Sequence, residues 1–176
     1  IAEYDEIVNY YQKTVNQGVA PIVAPVNLLL QSVRIAIDKA LQQVGWSNLR
    51  YSGETKDITV ENGQTRITVS LLSDGVKNML AMVGDIAYRC AKLNPHLLTN
   101  SNQCAGIVLI DEIDMHLHPS WQQSVLNSLR HIFSNIQFIV TTHSPQILST
   151  VKKCNIRVID PSLTEALIPE INPYGQ

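Results

Sequence analysis

The sequence predicts an α/β chain: a parallel sheet with flanking helices from about residue 70, preceded by a helical region and a β-hairpin. Three observations predict it. The unbroken aliphatic run at residues 107–110 reads as a strand covered on both faces, and residues 136–140 and 156–159 read as two further buried strands. Stretches with apolar residues every three or four positions separate them, so strand and helix alternate and the pairing is parallel with right-handed crossovers. Ahead of these, Asn62-Gly63 lies between two runs of alternating polarity, 57–60 and 65–69. That dipeptide signals a tight hairpin turn whose central residues take positive φ.

The other elements follow in order. Ile1, Tyr4, Val8, Tyr11 and Val15 make one apolar stripe of a helix over residues 1–17, ended by Gly18, Pro21 and Pro25. A second helix runs over about 26–44, with Leu30, Val33, Ile37, Leu41 and Val44 inward and Gly45 as its C-cap. A long helix over 75–93 buries Val76, Met79, Leu80, Val83, Ile86, Ala87 and Cys90 and stops at Asn94-Pro95. A polar loop at 99–103 leads into the first aliphatic strand. Pro119 opens the next helix, with Trp121, Val125, Leu129 and Ile132 on one side. The expected organisation is a helical subdomain over 1–50, a hairpin over 51–69, and an α/β lobe over 70–176.

Composition narrows the function. The chain has 13 Lys+Arg against 15 Asp+Glu and a net charge of −2, so no general positive excess holds nucleic acid. A local basic groove on a dimer is left open. Charged residues are 16% of the chain, against about 25% in ordinary domains, so part of the surface is expected to be covered. No run of about 18 apolar residues exists to span a membrane. The first six residues are acidic, unlike a signal peptide, and the missing initiator Met points to a fragment or a processed piece. Cys90, Cys104 and Cys154 are scattered and odd in number, as in reduced cytoplasmic proteins. Cys90 and Cys154 read as core or near-core fillers.

Three stretches carry chemistry. The run 107–110 ends in Asp111 and Glu112, two carboxylates at the C-terminal end of a buried strand, where parallel sheets place ligands. Mg²⁺ with a polyphosphate would balance them, Asp111 holding the ion and Glu112 polarising a water. The strand at 136–140 ends in Thr141-Thr142-His143-Ser144-Pro145. If the two strands are neighbours, His143 shares an edge with Glu112 and can orient a phosphate or a water. The third stretch, Leu72-Ser73-Asp74-Gly75, precedes the long helix. Ser73 is a natural N-cap there, and the helix N-terminus is a candidate anion site.

In order and spacing, Leu72-Ser73-Asp74-Gly75, the strand ending in Asp111-Glu112, and Thr142-His143-Ser144-Pro145 resemble the C-terminal half of an ABC-type P-loop ATPase. The details, including the run Asp111-Glu112-Ile113-Asp114-Met115-His116-Leu117-His118-Pro119, are similar to the soluble RecF, SMC and OLD-like branch. Within it the chain is similar to bacterial ATPases of anti-phage systems such as Septu and the retrons. The resemblance implies ATP and Mg²⁺ as ligands, with Asp111 as the Walker B metal carboxylate, Glu112 as general base and His143 as γ-phosphate switch. It implies that Ser73 and Gly75 touch a nucleotide held mainly by the opposite subunit of an ATP-dependent homodimer. Met115, His116, Leu117 and His118 would form the D-loop at that dimer interface. Ile113 stands where transporter members carry Pro, Asp74 replaces a signature Gly, and His118 replaces an acidic residue. An effector nuclease, DNA or a ribonucleoprotein are the partners implied; no membrane is.

No Gly-x-x-x-x-Gly-Lys-Ser/Thr occurs in the chain, so the phosphate-cradling Walker A segment is expected upstream. The isolated chain is accordingly expected to hydrolyse ATP no faster than its Glu112→Gln variant; phosphate release from the two, measured side by side, checks this. Two alternatives stay open. Asp111, Glu112, Asp114, His116 and His118 could form the metal cluster of a nuclease. The low charge and the stripe through Tyr4, Val8, Tyr11 and Val15 would suit a non-enzymatic module that docks a partner nuclease.

Overall fold

The computed structural model describes residues 26–54, 56–115 and 117–159. The stripe expected at Ile1, Tyr4, Val8, Tyr11 and Val15 lies outside the described residues, as do residues 160–176. Helix α1 (Val26–Gln42) is followed by an antiparallel sheet of β1 (Ser47–Ser52), β2 (Asp57–Asn62) and β3 (Thr65–Thr68). Helix α2 (Asp74–Leu93) leads through a 3₁₀ segment (Pro95–Gln103) to β4 (Gly106–Ile110). Short helix α3 (Pro119–Gln122), α4 (Val125–Ile132), β5 (Ile136–Val140) and α5 (Pro145–Leu148) complete the order.

Helix α1 buries Leu41 as expected, together with Leu28, Ser32, Ala36 and Ala40, whereas Leu30 is 65% exposed and Val33, Ile37 and Val44 are half-buried. Val33 and Ile37 pack closely on α2: a Cβ on Gly84 would come within 3.3 Å of Ile37 Cδ1 and 3.9 Å of Val33 Cγ1. The buried Ser32 hydroxyl is satisfied by donating to the Leu28 carbonyl at 2.9 Å. Helix α1 ends as expected at Gly45, φ +75°. The Trp46 and Gly45 amides donate back to the carbonyls of Leu41 and Gln42, the paired bonds of a Schellman cap.

The hairpin forms one residue later than expected. Asn62 pairs with Thr65, so the two-residue loop is Gly63-Gln64, and Gly63 alone takes positive φ, +58°. One positive φ, at the first loop residue, is the type II′ pattern. The sequence reading also lacked β1, which pairs antiparallel with β2. A bulge between Ser47 and Arg50, with Asn48 at φ +61°, breaks its alternation. The Leu49 amide donates to Asp38 Oδ1 at 2.9 Å and ties β1 to α1.

Helix α2 buries all seven residues anticipated for it, and Asn94 caps its C-terminus. Cys90 and Cys104 are buried, but Cys154 is exposed, which corrects its reading as a core filler. Burial, and next a hydrogen bond with Cys104, pushes the Cys90 thiol up from 9.0 to about 12. It therefore stays protonated and inert. The helix expected after Pro119 is split in two, because both the amide and the hydroxyl of Ser124 turn back to the Trp121 carbonyl. Val125, Leu129 and Ile132 are buried as anticipated.

Strands β4 and β5 pair in parallel, from Gly106 against Ile136 to Ile110 against Val140. Val108, Ile110, Phe138 and Val140 face the core. Among the described residues the opposite face is bare: Ile107 is 65%, Leu109 74% and Ile139 51% exposed. Within this chain one face of the pair is buried and the other is left uncovered. The third strand expected at 156–159 is also corrected. Ile156 is buried, but Val158 makes only an isolated bridge and Ile159 is exposed. Arg157 Nη1 donates to the carbonyls of Cys154 and Ile156 at 2.8 Å each, which engages the backbone outside any ladder.

Candidate functional site

The parallel register brings two of the three sequence motifs to one edge. Past Ile110 and Val140 the chains stay joined: the Thr141 amide donates to the Ile110 carbonyl at 3.0 Å, and the Ile113 amide to the Thr141 carbonyl at 3.1 Å. Asp111, Glu112 and His143 are all exposed on this C-terminal edge. The Ile113 amide bond explains one departure from the transporter pattern, because proline has no N–H to donate. Ile113 itself is buried and anchors the loop in the core.

Thr141 sits at the centre of the edge. Its Oγ1 donates to Asp111 Oδ1 at 2.5 Å and accepts from the Glu112 amide at 2.8 Å. Glu112 has φ +47°, a left-handed conformation that costs a non-glycine residue about 1–2 kcal/mol. Such strain persists only where neighbours over-determine the backbone, and it concentrates at functional sites. The next threonine repeats the pattern. Thr142 Oγ1 donates to Asp114 Oδ1 at 2.5 Å and accepts from the Ser144 amide at 3.0 Å. Gln122 joins in: its Nε2 donates to the carbonyls of Asp114 and Leu117, and its Oε1 accepts from Ser144 Oγ at 2.7 Å. The loop after β4 and the loop after β5 are thereby one hydrogen-bonded unit.

Of the anticipated D-loop, Met115 is exposed, Leu117 is buried, and the His118 carbonyl accepts from the amides of Trp121 and Gln122 at the start of α3. His116 lies outside the described residues. Ser73 occupies the N-cap position of α2 without a side-chain capping bond, so its exposed hydroxyl is not used as expected of a cap. No hydrogen bond among the described residues joins Ser73 or Gly75 to the β4–β5 edge. The third motif lies at the start of α2, with Ser73 at its N-cap position. Asp74, in the first turn of α2, pairs with Lys77 at 2.8 Å.

Among the described residues no three His, Cys, Asp or Glu side chains gather around one point. Of the five residues weighed for a nuclease cluster, Asp111, Glu112, Asp114 and His118 are described and no three of them gather; Asp114 is engaged by Thr142. The carboxylate of Asp111 does fit a hydrated Mg²⁺, since it is exposed and steadied by one hydroxyl, and that ion retains most of its waters. Thr141, Thr142 and Gln122 were given no role by sequence reasoning. The signal was two hydroxyl residues directly after an aliphatic strand.

With this geometry in view, residues 11–149 match the protein-family model described as "AAA domain, putative AbiEii toxin, Type IV TA system". The chain belongs to that AAA-domain family. This AAA-domain chain is 49% identical over 112 residues to "Retron Ec83 probable ATPase" of Escherichia coli, covering 64% of the chain and 20% of that protein. It is 46% identical over 122 residues to "Retron Vc95 probable ATPase" of Vibrio cholerae serotype O1 biovar El Tor, covering 68% and 24%. It is 32% identical over 109 residues to "Septu protein PtuA" of Bacillus thuringiensis, covering 58% and 27%. The chain therefore spans only a fifth to a quarter or so of these relatives. A solved structure described under "ATP-driven dimerization and DNA stimulated activation of SMC ATPases" superposes with a TM-score of 0.51 at 17% identity, covering 77% of this chain and 80% of the other. That likeness shows the fold, the α/β fold of a P-loop NTPase. No described helix is long and apolar enough to cross a membrane.

Proposed function

We propose that this chain is the catalytic-edge portion of a larger ATPase that binds and hydrolyses ATP with Mg²⁺. The observation that carries the reading is the joined end of β4 and β5, where Asp111, a strained Glu112 and the strand leading to His143 share one network. In this reading Asp111 holds the ion, which supplies positive charge to a polyphosphate. Glu112 accepts a proton from the attacking water, and His143 holds a phosphate oxygen or the water. Preorganised groups on a rigid strand end are what phosphoryl transfer needs, because positioning and electrostatics dominate its barrier.

The bare face of β4 and β5 supports a larger domain. A two-stranded parallel sheet with Ile107, Leu109 and Ile139 exposed needs cover to be stable in water. The retron relatives, named probable ATPases, support ATPase chemistry, and the SMC structure, described for ATP-driven dimerization, supports ATP-driven dimerisation. Ser73 and Gly75, remote from Glu112 in the bonding network, then meet the nucleotide held by the partner subunit, with Met115 through His118 at the interface. An effector nuclease, DNA or a ribonucleoprotein is what the cycle would control.

The test uses the full-length protein. With Mg²⁺ and ATP, light scattering should show the mass double, and Ser73→Arg should abolish the shift without lowering the melting temperature. An ATP-independent mass would sink the dimer reading.

A further inference from the structure

We propose that Thr141 is a positioning residue that sets the metal carboxylate and the catalytic base at once; this rests on the ATPase reading above. A hydroxyl has one proton to give, and Thr141 gives it to Asp111 Oδ1. Its lone pairs face the Glu112 amide, which it holds at 2.8 Å. One atom, Thr141 Oγ1, therefore orients the Asp111 carboxylate and stabilises the left-handed backbone of Glu112, φ +47°. The backbone of the same residue closes the ring, accepting from the Ile113 amide and donating to the Ile110 carbonyl.

The site is exposed, so water competes for each of these groups. An ordinary strand end would let the Asp111 carboxylate swing and the Glu112 backbone relax to negative φ. The hydroxyl resists both motions. It also ties them to the loop that follows β5, in which His143 lies two residues further on.

The role is directional and separable. Loss of the hydroxyl should weaken metal-dependent steps and turnover but leave apolar packing alone. Thr141→Val removes the hydroxyl with the shape conserved, and Thr141→Ser restores it. In the full-length protein, Thr141→Val is expected to lower kcat on the order of 10-fold, the loss of about one charge-assisted hydrogen bond. It should raise the Mg²⁺ concentration for half-maximal turnover several-fold and leave the KM for ATP within about 2-fold. Without nucleotide or metal, hydrogen exchange of the Glu112 amide should quicken on the order of 10-fold, since its acceptor is gone. Thr141→Ser should stay near wild type in all of these.

If Thr141→Val matches wild type in exchange and Mg²⁺ dependence while turnover still requires Glu112, the positioning role is overturned and the ATPase reading stands. If Thr141→Ser is as impaired as Thr141→Val, the hydroxyl is not the agent and the role is likewise overturned. Turnover unchanged in Glu112→Gln removes Glu112 as the base and overturns this role with it, whereas a full-length protein that hydrolyses no ATP overturns the ATPase reading, even where the exchange difference remains.

Discussion

Glu112→Gln in the full-length protein is expected to cut ATP turnover by about 10²–10⁴-fold, the usual contribution of a general base. ATP binding should persist and the ATP-bound dimer should accumulate. The amide of Gln occupies the space of the carboxylate, so the φ +47° backbone and the Thr141 bond at 2.8 Å have no reason to change. What is lost is a group able to accept the proton of the attacking water. Steady-state phosphate release together with nucleotide binding checks this. A variant with unchanged turnover would remove Glu112 from the chemistry, and loss of binding as well would mean a folding defect instead.

The second large effect concerns the support beneath the site. Phe133 is fully buried and packs its ring against Phe138, centroids 6.5 Å apart and tilted by 55°. Phe138 lies on β5, the strand that leads into the loop carrying Thr141 and His143. Phe133→Ala should destabilise the domain by about 3–5 kcal/mol through lost burial and a cavity. The melting temperature of the full-length protein should fall on the order of 10 °C. Phe133→Leu, which keeps most of the volume, should cost clearly less. Thermal unfolding of the three proteins decides it; equal melting temperatures would mean that the core closes over the space without cost.

The two predictions probe different parts of one construction. The aromatic pair seats β5, parallel pairing sets β5 against β4, and the threonines join the two loops. Each stage depends on the one before it, so the catalytic edge is only as well defined as the core that carries it.

Much of this was readable in advance. The apolar runs that lead to Asp111-Glu112 and to Thr141-Thr142-His143 announce strands whose ends carry the candidate residues, because alternation and apolar continuity are local properties of the chain. Gly45 and the seven-residue face of α2 were legible for the same reason. The errors are also local in origin. Leu30 looked inward because it fits the helical period, but α1 meets Gly84 of α2 through Val33 and Ile37 and leaves Leu30 65% exposed. The hairpin was displaced by one residue because cross-strand pairing of Asn62 with Thr65 decides which residues form the loop. The run at 156–159 resembles a strand in composition, yet Arg157 engages its backbone elsewhere.

Periodicity, turn residues and motif order were therefore enough for the α/β class and for most of the elements, though not for β1 or the run at 156–159, and they singled out Asp111, Glu112 and His143 as candidates. They could not reveal that Thr141 bonds Asp111 and Glu112 across 30 and 29 residues of chain, or that Glu112 adopts positive φ. Nor could they reveal that one face of the parallel pair stands open among the described residues. Those features arise only when two distant strand ends are brought side by side, since a hydrogen bond between loops depends on where their backbones sit in space and not on the spacing of residues along either one.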